Sequence, residues 1–300
     1  MGFLAVSAAA VLWAFGGTYA RTLIDRGASP YEITEARAWI AFLALGALLL
    51  WRRRGGSSRA APPPLVFTIG FGLSIAAANL LYYSAISALP VAVAIVIQYT
   101  APAMVVGWLA LAERRPPSKH VVWALVAAVA GVALLAELPR ILTSGGRILS
   151  GRGVAAALGS AVAFAAYILL GERVVPAYGP EGALVRGFGV AGVLWIAVQA
   201  TRGRPDTLLD PAMLPGVVVI GIVATVIPFM LFLWGLQRIG ASPAGIVSTL
   251  EPLSAALLAY VWLGQGLDAW QLAGAALVVA AIGVVQSEQA EAAPAPAPLE

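Results

Sequence analysis

Long apolar runs separated by short polar breaks organise this chain from end to end. Ten runs can be marked, at approximately 3–23, 33–51, 66–88, 91–112, 120–137, 153–175, 182–200, 213–238, 243–263 and 269–287. Each is about the length a helix needs to cross some 30 Å of hydrocarbon. Lipid offers no partner to unpaired backbone groups, so each run is predicted to be a helix. The breaks carry helix-stopping residues: Ser29-Pro30, Gly55-Gly56, Pro62-Pro63-Pro64, Pro116-Pro117, Gly145-Gly146, Pro205 and Ser242-Pro243. Ser287 closes the last run. The tail 288–300 is rich in Ala, Pro and Glu and is expected to be disordered.

Composition turns these runs into a membrane protein. Hydrophobic residues make up 61% of the chain and charged residues 11%, against about 25% charged in a soluble domain. Such a chain cannot cover a water-facing surface. There are no cysteines, which excludes disulfides and thiolate chemistry, and one histidine, His120, is too few for a histidine metal site. No cofactor is expected. The net charge of +4 does not point to nucleic acid. Its arginines sit in short loops and report orientation instead. Arg52, Arg53, Arg54 and Arg59 follow the second run, and Arg114, Arg115 and Lys119 follow the fourth. Both groups fall on one side, which the positive-inside rule makes cytoplasmic. Ten crossings then place both termini in the cytoplasm. Arg140, Arg147, Arg152, Arg202 and Arg204 fit this less well, since they fall on the other side. The first run lacks a basic lead and a cleavage site, and is read as a span and not a signal peptide.

The two halves, 3–137 and 153–287, can be overlaid at an offset of about 150 residues. Glu32 and Arg37 fall on Glu181 and Arg186, Trp13-Ala14 on Phe164-Ala165, Pro102 on Pro252, Leu111-Ala112-Glu113 on Leu263-Gly264-Gln265, and Gly131 on Gly283. Five spans per half is an odd number, so the second half is expected to enter the membrane inverted. Inverted repeats around a mid-membrane site are the plan of many secondary transporters.

Several segments then carry a family resemblance. They are Ala-Val-Leu-Trp-Ala-Phe-Gly-Gly in the first run, Glu35-Ala36-Arg37, Asn79 with Tyr82-Tyr83-Ser84-Ala85, and Tyr99-Thr100-Ala101-Pro102. Leu250-Glu251-Pro252-Leu253 and Leu263-Gly264-Gln265 complete the set. In their order and spacing the chain resembles the drug/metabolite transporter superfamily in its two-repeat EamA form. Within it the chain looks most like the YddG-type exporters of aromatic and other neutral amino acids. The resemblance covers about residues 3–287. It implies an all-α fold of ten transmembrane helices, a central cavity, alternating access and a bacterial inner-membrane location. Gln265 departs from the Gly-Glu that many such repeats carry before the last helix, which puts a carboxylate role there in doubt.

Polar and aromatic residues at mid-depth are the candidate site. Glu251 is the acidic residue nearest the centre of a span, beside Pro252. It is read either as a partner for a substrate ammonium or proton, or as a protonated group bonded to a kinked backbone. Asn79, Tyr82 and Tyr83 share one helix face by their i, i+3, i+4 spacing. Gln98, Tyr99 and Pro102 cluster on another. Both groups are read as cavity lining, against interhelical bonds worth about 0.6 kcal/mol each. Trp13, Phe164 and Tyr167 would supply aromatic walls, or ordinary packing. Phe229 and Trp234 point about 140° apart, so at most one should face a cavity. Ser248 completes the candidate lining. Arg37 and Arg186, with Glu35 and Glu181 nearby, are read as snorkelling at the interface or as gate ion pairs. Pro102, Pro228 and Pro252 are candidate hinges. Trp51, Trp123, Trp262 and Trp270 lie near span ends and are read as interface anchors.

Gly187-Phe188-Gly189-Val190-Ala191-Gly192 matches a dinucleotide-binding fingerprint, but it lies inside an apolar span and is read as helix packing. The expectation is a secondary transporter exporting small amphipathic metabolites, foremost neutral and aromatic amino acids, as a monomer or weak dimer in lipid. Drugs, organic cations and nucleotide sugars are the alternatives. A membrane enzyme is more distant, since no cluster of catalytic side chains stands at one interface.

Overall fold

The computed structural model describes the chain apart from residues 53–60, 90, 115, 144–149, 204–205, 207–209, 264–265 and 293–300. Arg53, Arg54, Arg59, Arg115, Arg147 and Arg204 lie outside the described residues. So do the Gly55-Gly56, Gly145-Gly146 and Pro205 breaks, Gly264-Gln265, the Trp262 side chain and the end of the tail. Every regular element among the described residues is helical. In chain order these are α1 (Gly2–Asp25), α2 (Pro30–Arg52), α3 (Leu65–Ala88), α4 (Val91–Gln98), α5 (Ala101–Glu113), α6 (Lys119–Leu135) and α7 (Leu138–Thr143). Then come α8 (Gly151–Arg202), α9 (Leu214–Gly221), a π-helical turn (Ile222–Val226), α10 (Ile227–Ile239), α11 (Ala241–Ser248), α12 (Leu250–Leu263) and α13 (Ala269–Ala292).

Seven helical stretches are long and apolar enough to cross a bilayer, and Lys119–Leu135 is a shorter apolar helix. The chain is an all-α integral membrane protein. The apolar runs seen in sequence coincide with these elements, with four corrections. The fourth and ninth runs are each two helices, broken at Tyr99-Thr100 and at Thr249. Near the end of the eighth, the stop lies at Gly240 (φ +80°) and not at Ser242-Pro243, which belong to the first turn of α11. A proline is tolerated there because a first-turn N–H has no intrahelical partner anyway. The sixth and seventh runs join into one 52-residue element. Finally, α13 continues to Ala292, so residues 288–292 of the expected tail are helical.

As a straight rod, α8 would be about 78 Å long, more than twice the hydrocarbon thickness. It is not straight. Gly179, between Pro176 and Pro180, has φ +68° and ψ +169°, outside the helical region. The Phe71 ring of α3 stacks on Tyr167 before this point, with centroids 5.3 Å apart. It also packs on Gly187 beyond it, where an added Cβ would lie 2.9 Å from the ring. Both arms therefore lie beside α3, and the chain doubles back at Gly179. The glycine-rich stretch also packs on α2: Gly189 faces Phe42 and Gly192 faces Trp39.

The start of each half packs against the end of a helix from the other half. Gly2, opening α1, meets Ile239 at the end of α10. Gly153, in the first turn of α8, meets Leu89 at the far end of α3. The last helices of the halves, α6 and α13, pack on each other. A Cβ on Gly131 would lie 2.7 Å from the Gly274 carbonyl oxygen, and one on Gly274 2.6 Å from that of Gly131. At one end of this pair Glu137 accepts from Arg140 (2.9 Å) and from Gln271 (3.0 Å). Helix starts are capped locally. Ser29 and Glu32 satisfy each other's N–H groups at α2, and Asp268 and Gln271 do so at α13. Trp51, Trp123 and Trp270 are mostly exposed on the protein surface, in keeping with rings that meet the lipid interface.

Gly72 makes the α3–α8 contact testable. A Cβ there would lie 2.5 Å from the Val190 Cβ and 2.6 Å from the Gly187 carbonyl oxygen. Neither neighbour is the end of a flexible side chain. Gly72→Ala is expected to cost roughly 1–3 kcal/mol of stability, read as a lowered melting temperature in detergent.

Candidate functional site

The helix breaks and the crossing helices surround a central cavity of about 600 Å³, part of it open to solvent. Its aromatic wall comes from α1, the first arm of α8 and α10. Trp13 meets Phe164 and Phe229 edge to face, at centroid distances of 6.0 and 5.4 Å. Tyr167 meets Phe229 at 5.5 Å. All four rings line the cavity. Phe229 faces in, while Trp234 turns away and lies under the Arg238 guanidinium at 3.3 Å. The repeat overlay that paired Trp13 with Phe164 thus joined two side chains in contact.

The polar wall comes from α2, α3 and the helix breaks. Asn79, Tyr82 and Tyr83 all line the cavity, as their shared face predicted, and so does Gln98. Glu251 lines it from the first turn of α12, just past the break at Thr249. Tyr99, at the corresponding break of the first half, donates from its hydroxyl to Glu251 Oε2 at 2.6 Å. Two helix breaks 152 residues apart in sequence are thereby tied together.

Arg37 overturns the snorkelling expectation. It is 7% exposed and lines the cavity. Its Nε donates to Thr225 Oγ1 at 2.7 Å, its Nη1 to the Tyr83 hydroxyl, and its Nη2 to the Ala224 carbonyl at 3.0 Å. The last bond has a sequence cause. Pro228 has no N–H to offer the carbonyl four residues back, which is that of Ala224. The π turn Ile222–Val226 lies at the same place, and the arginine fills the gap in the ladder. Glu35, two residues from Arg37, takes its hydrogen bond elsewhere, from Gln199.

Other expected positions lie off the cavity. Tyr99 stands behind Glu251 and is not in the wall. Ser248 is buried and donates back to the Gly245 carbonyl at 2.6 Å, a common satisfaction for a helical serine, so it does not line the site. Arg186 stays beside the Gly179 turn, donating to the Gly182 carbonyl at 2.9 Å with its guanidinium 3.9 Å from the Tyr178 ring centroid. Pro102, Pro228 and Pro252 each sit in the first turn of the helix that follows a break or π turn. Wall residues missed in sequence are Gly16, Gly17, Ile75, Ala78 and Ala224. Small and apolar, they carry no signal of their own, apart from Ala224 through Pro228.

The EamA-like transporter family matches residues 1–136 and again 151–286. The chain belongs to this family. It is a membrane transporter and not an enzyme. Relatives include the threonine/homoserine exporter RhtA of Salmonella typhimurium and that of Escherichia coli. Each is 29% identical over 272 residues, covering 89% of this chain and 84% of RhtA. The Salmonella inner membrane transporter YicL is 28% identical over 297 residues, covering 94% of this chain and 93% of its own. A solved crystal structure shares the fold at a TM-score of 0.77 and 22% identity, covering 96% of the transporter and 97% of that chain.

Proposed function

We propose that this transporter exports small zwitterionic metabolites, foremost neutral amino acids with aromatic or other apolar side chains. One observation carries the reading: a single arginine and a single glutamate stand in the wall of one cavity whose remaining surface is largely aromatic and amide. A free amino acid presents a carboxylate, an ammonium and a side chain. Arg37 is the partner for the first. Its guanidinium has five N–H donors, of which the bonds named above use three, leaving capacity for a carboxylate. Glu251 is the partner for the ammonium, and the ring wall receives the side chain. A dianion would meet Glu251 unfavourably, and a dication Arg37.

Transport then proceeds by alternating access. Two inverted five-helix halves, 3–137 and 153–287, enclose the site, with both termini in the cytoplasm. Breaks at Tyr99-Thr100 and Thr249, followed by Pro102 and Pro252, let half-helices tilt without losing a full ladder of bonds. Competition between a proton and an ammonium for Glu251 would couple export to a proton gradient. The names of the RhtA relatives support an amino-acid cargo.

Counterflow in proteoliposomes with labelled amino acids tests this. Saturable exchange of Phe, Trp, Met, Leu or Thr, with little for Lys and Asp, is the expected result. Exchange of none of the neutral amino acids would reject it.

A further inference from the structure

The cavity holds polar atoms that the protein leaves without partners. Six buried side-chain nitrogen or oxygen atoms among the described residues make no hydrogen bond, and three belong to the cavity wall: Trp13 Nε1, Gln98 Oε1 and Tyr167 Oη. Trp13 and Tyr167 are 8% and 1% exposed. The other three, on Thr68, Trp195 and Ser242, lie elsewhere. A buried orphan in a native protein calls for a cause, and a missing ligand group is one. Two of the orphans, Trp13 Nε1 and Tyr167 Oη, belong to the aromatic side of the cavity, where the amino-acid reading places the substrate side chain and where a dry hydrocarbon box would have been the simpler construction, and the third, Gln98 Oε1, belongs to the polar wall.

We infer that these three atoms mark a side-chain subsite that selects a hydroxyl group. The inference rests on the amino-acid reading above and narrows its substrate class. The donor pattern decides the chemistry. An indole N–H can only donate, an amide oxygen can only accept, and a phenol does either. A hydroxyl accepts from Trp13 and donates to Gln98 or Tyr167, so one small group answers opposite needs. A methyl in the same place answers none, and the wall atoms stay dry and unpaired. Sites built to bond a hydroxyl reject the deoxy analogue far more strongly than apolar pockets reject an extra methylene. The rings then hold the carbon skeleton, and the orphan atoms read its substituent.

The test uses substrate pairs that differ by the hydroxyl alone or nearly so. Counterflow of Thr against Val, and of Tyr against Phe, is measured with the full-length protein in proteoliposomes. The unmodified protein is expected to favour the hydroxylated member of at least one pair by about tenfold or more in kcat/KM. Trp13→Phe removes the N–H and keeps a ring, and Tyr167→Phe removes the hydroxyl alone. Each is expected to bring the ratio down to within about threefold of unity, whatever the change does to the transport rate of the apolar member itself. The ratio is taken within one preparation, so differences in folding or yield cancel. If one variant fails to fold, the other decides. Equal transport of both members of both pairs by the unmodified protein would overturn the subsite, with ordered water as the partner of the orphans, and leave the amino-acid reading standing. An unchanged ratio in every variant that folds would overturn it too. No transport of any of the four would remove the amino-acid reading and this subsite together.

Discussion

Arg37→Ala is expected to lower counterflow on the order of 100-fold or more, the largest effect of any single substitution in the cavity, since hydrogen bonds from a charged donor are each worth about 1.5–3 kcal/mol. The arginine holds three acceptors at once: Thr225, the Tyr83 hydroxyl and the Ala224 carbonyl. Two of these lie 187 and 188 residues away in sequence. Alanine removes the proposed carboxylate partner and also takes from the Ala224 carbonyl the donor that stands in for the N–H Pro228 lacks. Thr225 is less affected, because its hydroxyl also donates to the Ile220 carbonyl at 2.9 Å. Arg37→Lys separates charge from geometry. An ammonium keeps the positive charge but cannot span three acceptors set around a planar fork, so a loss of about tenfold is expected. Transport per folded molecule, with melting temperature measured alongside, distinguishes a lost ligand from a lost scaffold. Full transport by either variant would take Arg37 out of the binding site.

The second large effect concerns the driving force. Glu251→Gln is expected to abolish the part of transport that responds to a proton gradient, while exchange at equal pH on both sides survives at a lower rate. Glutamine keeps the size and can still accept from the Tyr99 hydroxyl, now 2.6 Å from the carboxyl oxygen, but it can neither take up a proton nor offer a charge to an ammonium. Tyr99 is buried, so the pair is a fixed unit and not a chance surface contact. Measurement is by counterflow in proteoliposomes with and without an imposed pH difference. A Glu251→Gln protein that still responds to the gradient as the unmodified protein does would remove this carboxyl from coupling.

Much of the architecture was legible because its cause is local. A helix in lipid needs an apolar run of fixed length, and the runs marked from hydropathy lie on the helices. Asn79, Tyr82 and Tyr83 reached the cavity together because spacing on one helix settles which residues share a face. Phe229 and Trp234 separated for the same reason. What escaped was set by distant partners. Arg37 opens a helix in sequence and so looked like an interface residue. Its burial depends on a carbonyl and a hydroxyl more than 180 residues away. Ser248 looked like a lining group, but whether a helical serine faces outward or bonds back to its own turn is decided by rotamer and packing. The sixth and seventh runs were marked as separate spans, 153–175 and 182–200, and a break between them was right, yet helix continues to within a residue of Gly179 on both sides. The tail failed differently: composition argued against order in residues 288–292, and continuity with a helix already formed outweighed it.

The contact between Gly131 and Gly274 bears on how such a molecule can move. Each belongs to the closing helix of its half, and the two backbones touch with no side chain between them. Side chains can change rotamer and let neighbours slide, but bare main chain has nothing to rearrange. The two halves are therefore bound backbone to backbone at residues outside the cavity wall, as leaves are bound at the spine of a book, and in the proposed transport cycle that binding is expected to stay shut while the cavity opens.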